Sequence, residues 1–216
     1  MKKNIVISLA VVVMALVFVG GSYLYKAQQN DTQSKIASQY SDALIKSYSP
    51  SKGSADAKVT IVEFLDPACE TCRQFYPFVE RLLEKHGGKV NHVIRYAPFH
   101  QGSDDVVKML EAARKQGVYW SVLEHTFGTQ PYWASHHNPQ PELLWKYLEH
   151  YKFDVARLRA DMNDPLIAKH IEQDLKDAAQ LGVKKTPSYF VNGKPLISFG
   201  YKQLEALVDA AIAEHY

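Results

Sequence analysis

The stretch Val59-Thr60-Ile61-Val62-Glu63-Phe64-Leu65-Asp66-Pro67-Ala68-Cys69-Glu70-Thr71-Cys72-Arg73-Gln74-Phe75-Tyr76 decides the fold. Its first seven residues are mostly β-branched and apolar, which is how a buried strand reads, and Asp66-Pro67-Ala68 break it. Beyond the break, apolar positions through Phe75, Phe78, Val79, Leu82 and Leu83 recur at helical spacing until Gly87-Gly88, so Cys69 opens a helix. Pro77 lies inside that helix and is expected to kink it without ending it, because the apolar face continues on both sides. Val90 to Ala97 reads as a second strand with Pro98-Phe99-His100 at its exit. Strand, helix and strand in about forty residues make a βαβ unit.

Downstream, residues 103–182 read almost wholly as helices. Ser103 ahead of Asp104-Asp105 marks a capped start and Gly117 a stop; Tyr119 to Phe127 and Pro141 to Tyr151 follow, and Asp164-Pro165 opens a last helix that Gly182 closes. The loop between, Gly128 to Gln140, carries Tyr132, Trp133, His136 and His137, which read as surface residues more readily than as a metal site. Next, Ser188-Tyr189-Phe190-Val191, Asn192-Gly193 and Lys194 to Ser198 form a hairpin with a type I′ turn signal. Leu204, Leu207, Val208, Ala211 and Ile212 stripe a final helix.

Upstream, Ala27 to about Ala57 is polar and small and reads as a tether, with Ile36 to Tyr48 weakly amphipathic within it. Before it, Ile5 to Tyr25 runs 21 residues without a charge, flanked by Lys2-Lys3 and Lys26. At a rise of about 1.5 Å per residue this spans roughly 30 Å, one hydrocarbon core. The two N-terminal lysines favour a cytoplasmic start with the remainder exported into an oxidising space. An uncleaved inner-membrane anchor is favoured over a cleaved signal, for which Val19-Gly20-Gly21 is a poor exit. The expected division is an anchor over 1–26, a tether over 27–57, a core in two parts over 58–102 and 183–216, and a helical insert over 103–182.

Composition narrows the chemistry. The 216 residues, 46% hydrophobic and 22% charged, suffice for one substantial core. A net charge of +2 with no long run of one sign argues against nucleic acid as a partner. Two cysteines exclude a disulfide-stapled scaffold, a four-cysteine zinc site and a ferredoxin-type cluster built from this chain alone.

The element order, with Cys69-x-x-Cys72 opening the first helix and Gly182-Val183-Lys184-Lys185-Thr186-Pro187 ahead of the hairpin, resembles the DsbA-like branch of the thioredoxin superfamily over about residues 54–216. The resemblance implies an α/β thioredoxin-like fold with an inserted all-helical domain, here preceded by an N-terminal transmembrane or signal segment. It implies a thiol-disulfide oxidoreductase of exported, cysteine-containing proteins that uses no dissociable cofactor and exchanges electrons with a membrane or periplasmic redox partner. By the same resemblance Thr186-Pro187 is the cis-proline loop that meets the substrate. Glu63 takes the buried acid position that relays a proton to or from Cys72; a carboxyl in an apolar strand suits general-base work near neutrality. Arg95 on the second strand is a possible partner for it.

The residues support redox chemistry independently. Cysteines at i and i+3 on a helix have β-carbons about 5 to 6 Å apart, close to bonding geometry, and a bridge closing so short a loop would stabilise little. Cys69 sits where free backbone N–H groups and the helix dipole favour an anion, so it is the expected attacking thiolate and Cys72 the resolving thiol. A metal-handling protein using Cys69, Cys72 and one of His100, His136 or His137 is the alternative. Glu70-Thr71 replaces the Pro-His of strongly oxidising relatives; a carboxylate about 6 Å from the thiolate costs it roughly 0.7 kcal/mol in water, about half a pKa unit. Glu70 and Thr71, with Asp66 nearby, are therefore expected to make a less oxidising couple. Oxidase is the first reading, with reductase or isomerase as the alternative.

Overall fold

The computed structural model describes residues 2–135, 138–148 and 153–216. Its sheet contains β1 (Ser51–Gly53), β2 (Val59–Leu65), β3 (Val90–Tyr96), β4 (Ser188–Val191) and β5 (Lys194–Pro195), ordered β1-β3-β2-β4-β5. The helices are α1 (Lys2–Gln39), α2 (Glu70–His86), α3 (Ser103–Lys115), α4 (Tyr119–Trp133), α5 (Leu144–Leu148), α6 (Val155–Asp161), α7 (Pro165–Gln180) and α8 (Tyr201–His215). β2 pairs in parallel with β3, which requires a crossover, and α2 supplies it. On its other side β2 pairs antiparallel with β4. This is a thioredoxin-like α/β fold carrying extra helices between its two halves.

Alternation along the strands separates two layers. Val59 and Ile61 pack with Phe75, Val79 and Leu82 of α2, with Tyr189 and Val191 of β4, and with Leu204 and Val208 of α8. Leu65, Ile94 and Tyr96 continue that layer into a core formed with α3 and α4. Val62 and Phe64 face the opposite way, toward Ala37, Leu44, Val93, Ala178 and Leu181. Because side chains alternate, register decides which partners a residue can reach. Glu63 stands opposite Ile94 and Phe64 opposite Arg95, so Arg95 lies on the face away from Glu63 and the expected pairing with it is corrected. Arg95 is instead fully buried against α7, with a guanidinium nitrogen 2.8 Å from Asp174 and 2.5 Å from Asp177.

Other differences have local causes. The expected tether is ordered along much of its length: α1 continues to Gln39, Ala37 and Leu44 enter the core, and β1 adds an antiparallel edge to β3. Short polar residues there are held by apolar residues placed at intervals, a signal too sparse to register in composition. α4 runs through Gly128 and Pro131 to Trp133, past the expected end at Phe127, because Trp133 is buried and its indole N–H donates to the Thr126 carbonyl at 2.9 Å. Ser103 does not cap α3; its hydroxyl donates to Asp66, and Gly102 precedes the helix. The hairpin turn is as expected, with Asn192 at φ 45° and Gly193 at 80°, while β5 stops at Pro195. Pro77 sits within an uninterrupted α2. His136, His137 and the expected helix end at Tyr151 lie outside the described residues.

Candidate active site

Cys69 is the N-cap of α2, its backbone N–H bonded to the Asp66 carbonyl at 3.0 Å. The preceding turn is held by Asp66, whose buried carboxylate accepts from the backbone of Ala68 (2.9 Å), Phe99 (2.7 Å) and His100 (2.9 Å), from the Ser103 hydroxyl and from the His100 ring at 2.7 Å. With so many donors around it, the contribution of Asp66 to the site is the shape of the loop. Glu70 points into solvent and Thr71 is half-buried.

Both cysteines are free thiols, and Cys72, one turn into the helix, is fully buried. The Cys69 sulfur lies 3.2 Å from the Thr186 carbonyl. The Thr186-Pro187 bond is cis, and Pro187 is buried beside the start of β4. A hydrogen bond from the Cys72 thiol, then one from Thr186 and the backbone N–H groups of Cys72 and Thr71, outweigh burial and bring the Cys69 thiol down to about 6. Burial first, then the hydrogen bond to Cys69 and the charges of Cys69 and Glu63, hold Cys72 well above the usual thiol range. The pair is thus split into one ready anion and one protonated reserve, the polarity that exchange through a mixed disulfide requires.

Glu63 lies on the central strand with no solvent exposure. Its Oε2 is 2.9 Å from Nε2 of His92, a residue the sequence reading missed. The signal was present in principle, since His92 precedes Ile94 by two and so shares its face, but only the β2–β3 register places it beside Glu63. A second missed residue is Gln130 of α4, buried, whose amide donates to the carbonyls of Pro67 (2.8 Å) and Cys69 (3.0 Å) and accepts from Arg73 Nε at 3.0 Å. It bolts the helical insert to the loop carrying the nucleophile. Gln130→Ala strands these partners and is expected to cost about 1 to 3 kcal/mol, read as a shift in urea midpoint of the reduced protein.

His100 faces Asp66, and among the described residues no three histidine, cysteine or acidic side chains are grouped to hold a metal.

The fold agrees with that of known proteins. The family model described as Thioredoxin matches residues 46–210, three quarters of the chain. The chain belongs to the thioredoxin family. A thioredoxin-like oxidoreductase from Silicibacter pomeroyi DSS-3 superposes with a TM-score of 0.68 at 28% identity, over 80% of this chain and 97% of that one. The thiol-disulfide exchange protein alpha-DsbA2 from Wolbachia pipientis shares the fold at 22% identity and a TM-score of 0.68, over 85% of this chain and 97% of its own. The Na(+)/H(+) antiporter NhaA of Herminiimonas arsenicoxydans is 30% identical over 161 residues, 74% of this chain and 25% of the antiporter. The chain thus spans about a quarter of the length of the curated relatives it matches. Within that family fold, the Thr186 carbonyl, ahead of the cis bond to Pro187, lies 3.2 Å from the sulfur of the helix-capping Cys69.

Proposed function

We propose that this protein is a thiol-disulfide oxidoreductase in which Cys69 attacks a disulfide or carries one, and Cys72 resolves the mixed disulfide. The observation that supports this best is the Cys69 sulfur at the start of α2, pulled down to about 6 and placed against the Thr186 carbonyl. Thr186-Pro187 is read as the substrate-docking loop, where an extended client segment has backbone to meet beside the nucleophile. Glu63 is read as the proton acceptor and donor for Cys72, supported by its burial and by the charge it exerts on that thiol. The clients are cysteine-containing exported proteins, and a further redox protein restores the active form.

For direction we favour the oxidase. C-x-x-C nucleophiles run from about 3.5 to 7.5, and a more stabilised thiolate makes a more oxidising couple. A value of about 6 lies between those extremes and supports the reading of an oxidase short of the strongest ones. Residues 58–102 and 183–216 would form the redox core and 103–182 the insert that helps frame the client site. Location on the periplasmic side of the inner membrane is supported by Val11–Gln39, a helix long and apolar enough to cross a membrane, with Phe18, Leu24 and neighbouring apolar side chains exposed.

The test is the pH dependence of iodoacetamide labelling of the reduced protein. Label should enter position 69 ahead of 72, with a midpoint near 6; labelling of Cys72 first, or a midpoint above 8, overturns the assignment. In the same titration Glu70→Gln is expected to lower the midpoint by at most about half a unit, the size of a solvent-screened charge at that distance. The reduced fold should also respond to pH. Its Cys69 pKa lies below the unfolded value of 9.0, so the folded chain releases this proton first. The stabilisation is complete above about 9 and fades as pH falls through 6, seen as a falling urea midpoint in wild type that Cys69→Ala lacks.

A further inference from the structure

The Thr186-Pro187 loop stands close to an element that the redox site does not use, the long helix α1. That helix runs unbroken from Lys2 to Gln39. Its apolar run ends at Tyr25, and Lys26 follows. Large apolar side chains along it are exposed, Phe18, Tyr23 and Tyr25 among them. Beyond Lys26 the same helix packs on the body of the protein, where Ala37 is buried in one core with Leu181 and Val183. Gly182, between those two, is approached by Gln33; a Cβ on it would meet the Gln33 amide at 3.4 Å. Gln29 and Gln33 line a cavity of about 270 Å³ together with Val183, Lys184 and Lys185. The docked end of α1 therefore bears on the segment that leads directly into Thr186-Pro187.

Helix geometry turns these contacts into heights. At a rise of about 1.5 Å per residue, Gln29 stands about 4.5 Å beyond Lys26, Gln33 about 10 Å and Lys35 about 13 Å. With Lys26 at the edge of the hydrocarbon core, a headgroup layer of about 5 to 8 Å covers Gln29 and stops short of Gln33. A typical tilt of about 20° shortens these heights by less than a tenth. Lys184 and Lys185 share a cavity with both glutamines, which places them at the outer part of that layer, within a Debye length of about 8 Å of the lipid phosphates.

Their surroundings suit an anionic surface. Both are exposed, and among the described residues neither has a carboxylate partner, whereas Lys35, Lys176 and Lys194 pair with Asp31, Glu172 and Glu214. No acidic residue lines the cavity among the described residues. The Lys185 Nζ lies 5.9 Å from the centre of the exposed Phe199 ring, and Tyr201 is exposed two residues further on. Basic groups beside exposed aromatic rings are the composition of a membrane interface.

We propose that Lys184-Lys185 is a membrane-surface element: the two ammonium groups pair with anionic phospholipid headgroups, and the unbroken α1 holds them at that height. The Thr186 carbonyl and the Cys69 sulfur 3.2 Å from it then meet clients along the bilayer. The substrate class narrows accordingly to cysteines of chains attached to the membrane or lying against it. This rests on reading α1 as a membrane anchor. An acidic client could use the same two charges, but the height set by α1 is fixed whether or not a client is present, which favours the lipid.

The full-length protein is tested in nanodiscs of phosphatidylcholine alone or with about one-third phosphatidylglycerol, its lysines acylated by acetic anhydride, an uncharged reagent, and read by peptide mass spectrometry. Phosphatidylglycerol is expected to slow acylation of Lys184 and Lys185 about five- to twentyfold, as it slows that of Lys26, since each lysine near an anionic surface is worth about fivefold in docked population. Lys35, further out on the same helix, should change less than about twofold, and about 0.5 M salt should remove most of the slowing. Equal acylation of Lys26 in both discs would mean that α1 does not stand in the bilayer, and the anchor reading fails. If Lys26 slows while Lys184 and Lys185 follow Lys35, the proposal is overturned and the two lysines are left for an acidic client. In Lys184→Gln with Lys185→Gln, exchange with a peptide disulfide coupled to a lipid of the same disc should fall at least about threefold relative to exchange with the free peptide. An unchanged ratio overturns the assignment of clients to the bilayer surface.

Discussion

Replacing Cys69 with serine is expected to bring disulfide exchange down to the uncatalysed background, a loss of at least about a hundredfold. A serine hydroxyl supplies no sulfur to form the mixed disulfide, whereas at pH 7 a thiol near 6 is about nine-tenths thiolate. Cys72→Ala gives a different failure. The nucleophile still attacks, but the thiol one turn further in that would expel the client is gone, so a mixed disulfide through Cys69 accumulates toward one per chain. Intact-mass spectrometry after incubation with a disulfide-bonded peptide distinguishes the two. A trapped adduct on Cys69→Ser, or turnover by Cys72→Ala at the wild-type rate, would reverse the assignment.

The second large effect concerns stability. Arg95→Met removes the cation from between Asp174 and Asp177 and also the donor to the Ala43 carbonyl. Asp177 keeps Lys46 at 3.4 Å and the Gln173 amide at 2.9 Å, and Asp174 keeps the Tyr96 backbone N–H and the Tyr48 hydroxyl, each at 2.8 Å, but the buried Asp174 carboxylate is left without its cation. Stranding buried charge in this way typically costs about 3 to 5 kcal/mol, visible as a lower urea midpoint with an unchanged slope. The triple variant Arg95→Met with Asp174→Asn and Asp177→Asn should recover part of it, because the desolvated charge goes with the carboxylates. A loss below about 1 kcal/mol would mean that the network is hydrated and contributes little. The network joins β3, α7 and the segment after α1, and so ties Ala43 and Tyr48 to the sheet and to α7.

Legibility in the sequence followed the distance over which each feature is specified. The β2–α2–β3 unit, the hairpin turn at Asn192-Gly193 and the N-capped start of α7 at Asp164 were readable, because each depends on residues within one turn of chain. The run past Gly128 and Pro131 in α4 was not, because burial of Trp133 against distant helices overrode local breakers. Asp66 shows the same limit from another side: its charge is apparent in the sequence, but the donors at Phe99, His100 and Ser103 that tie it down come from more than thirty residues away.

The chain on its own pointed to Cys69 as the attacking sulfur, because it opens a helix with a second thiol, Cys72, one turn further in. Only the tertiary structure decided what surrounds that sulfur. Thr186 reaches it across 117 positions, Gln130 grips its carbonyl across 61, and His92, not Arg95, takes Glu63 across 29. The physical reason is strand register: a displacement of one residue exchanges the two faces of a strand, and register is set by the packing of the whole sheet.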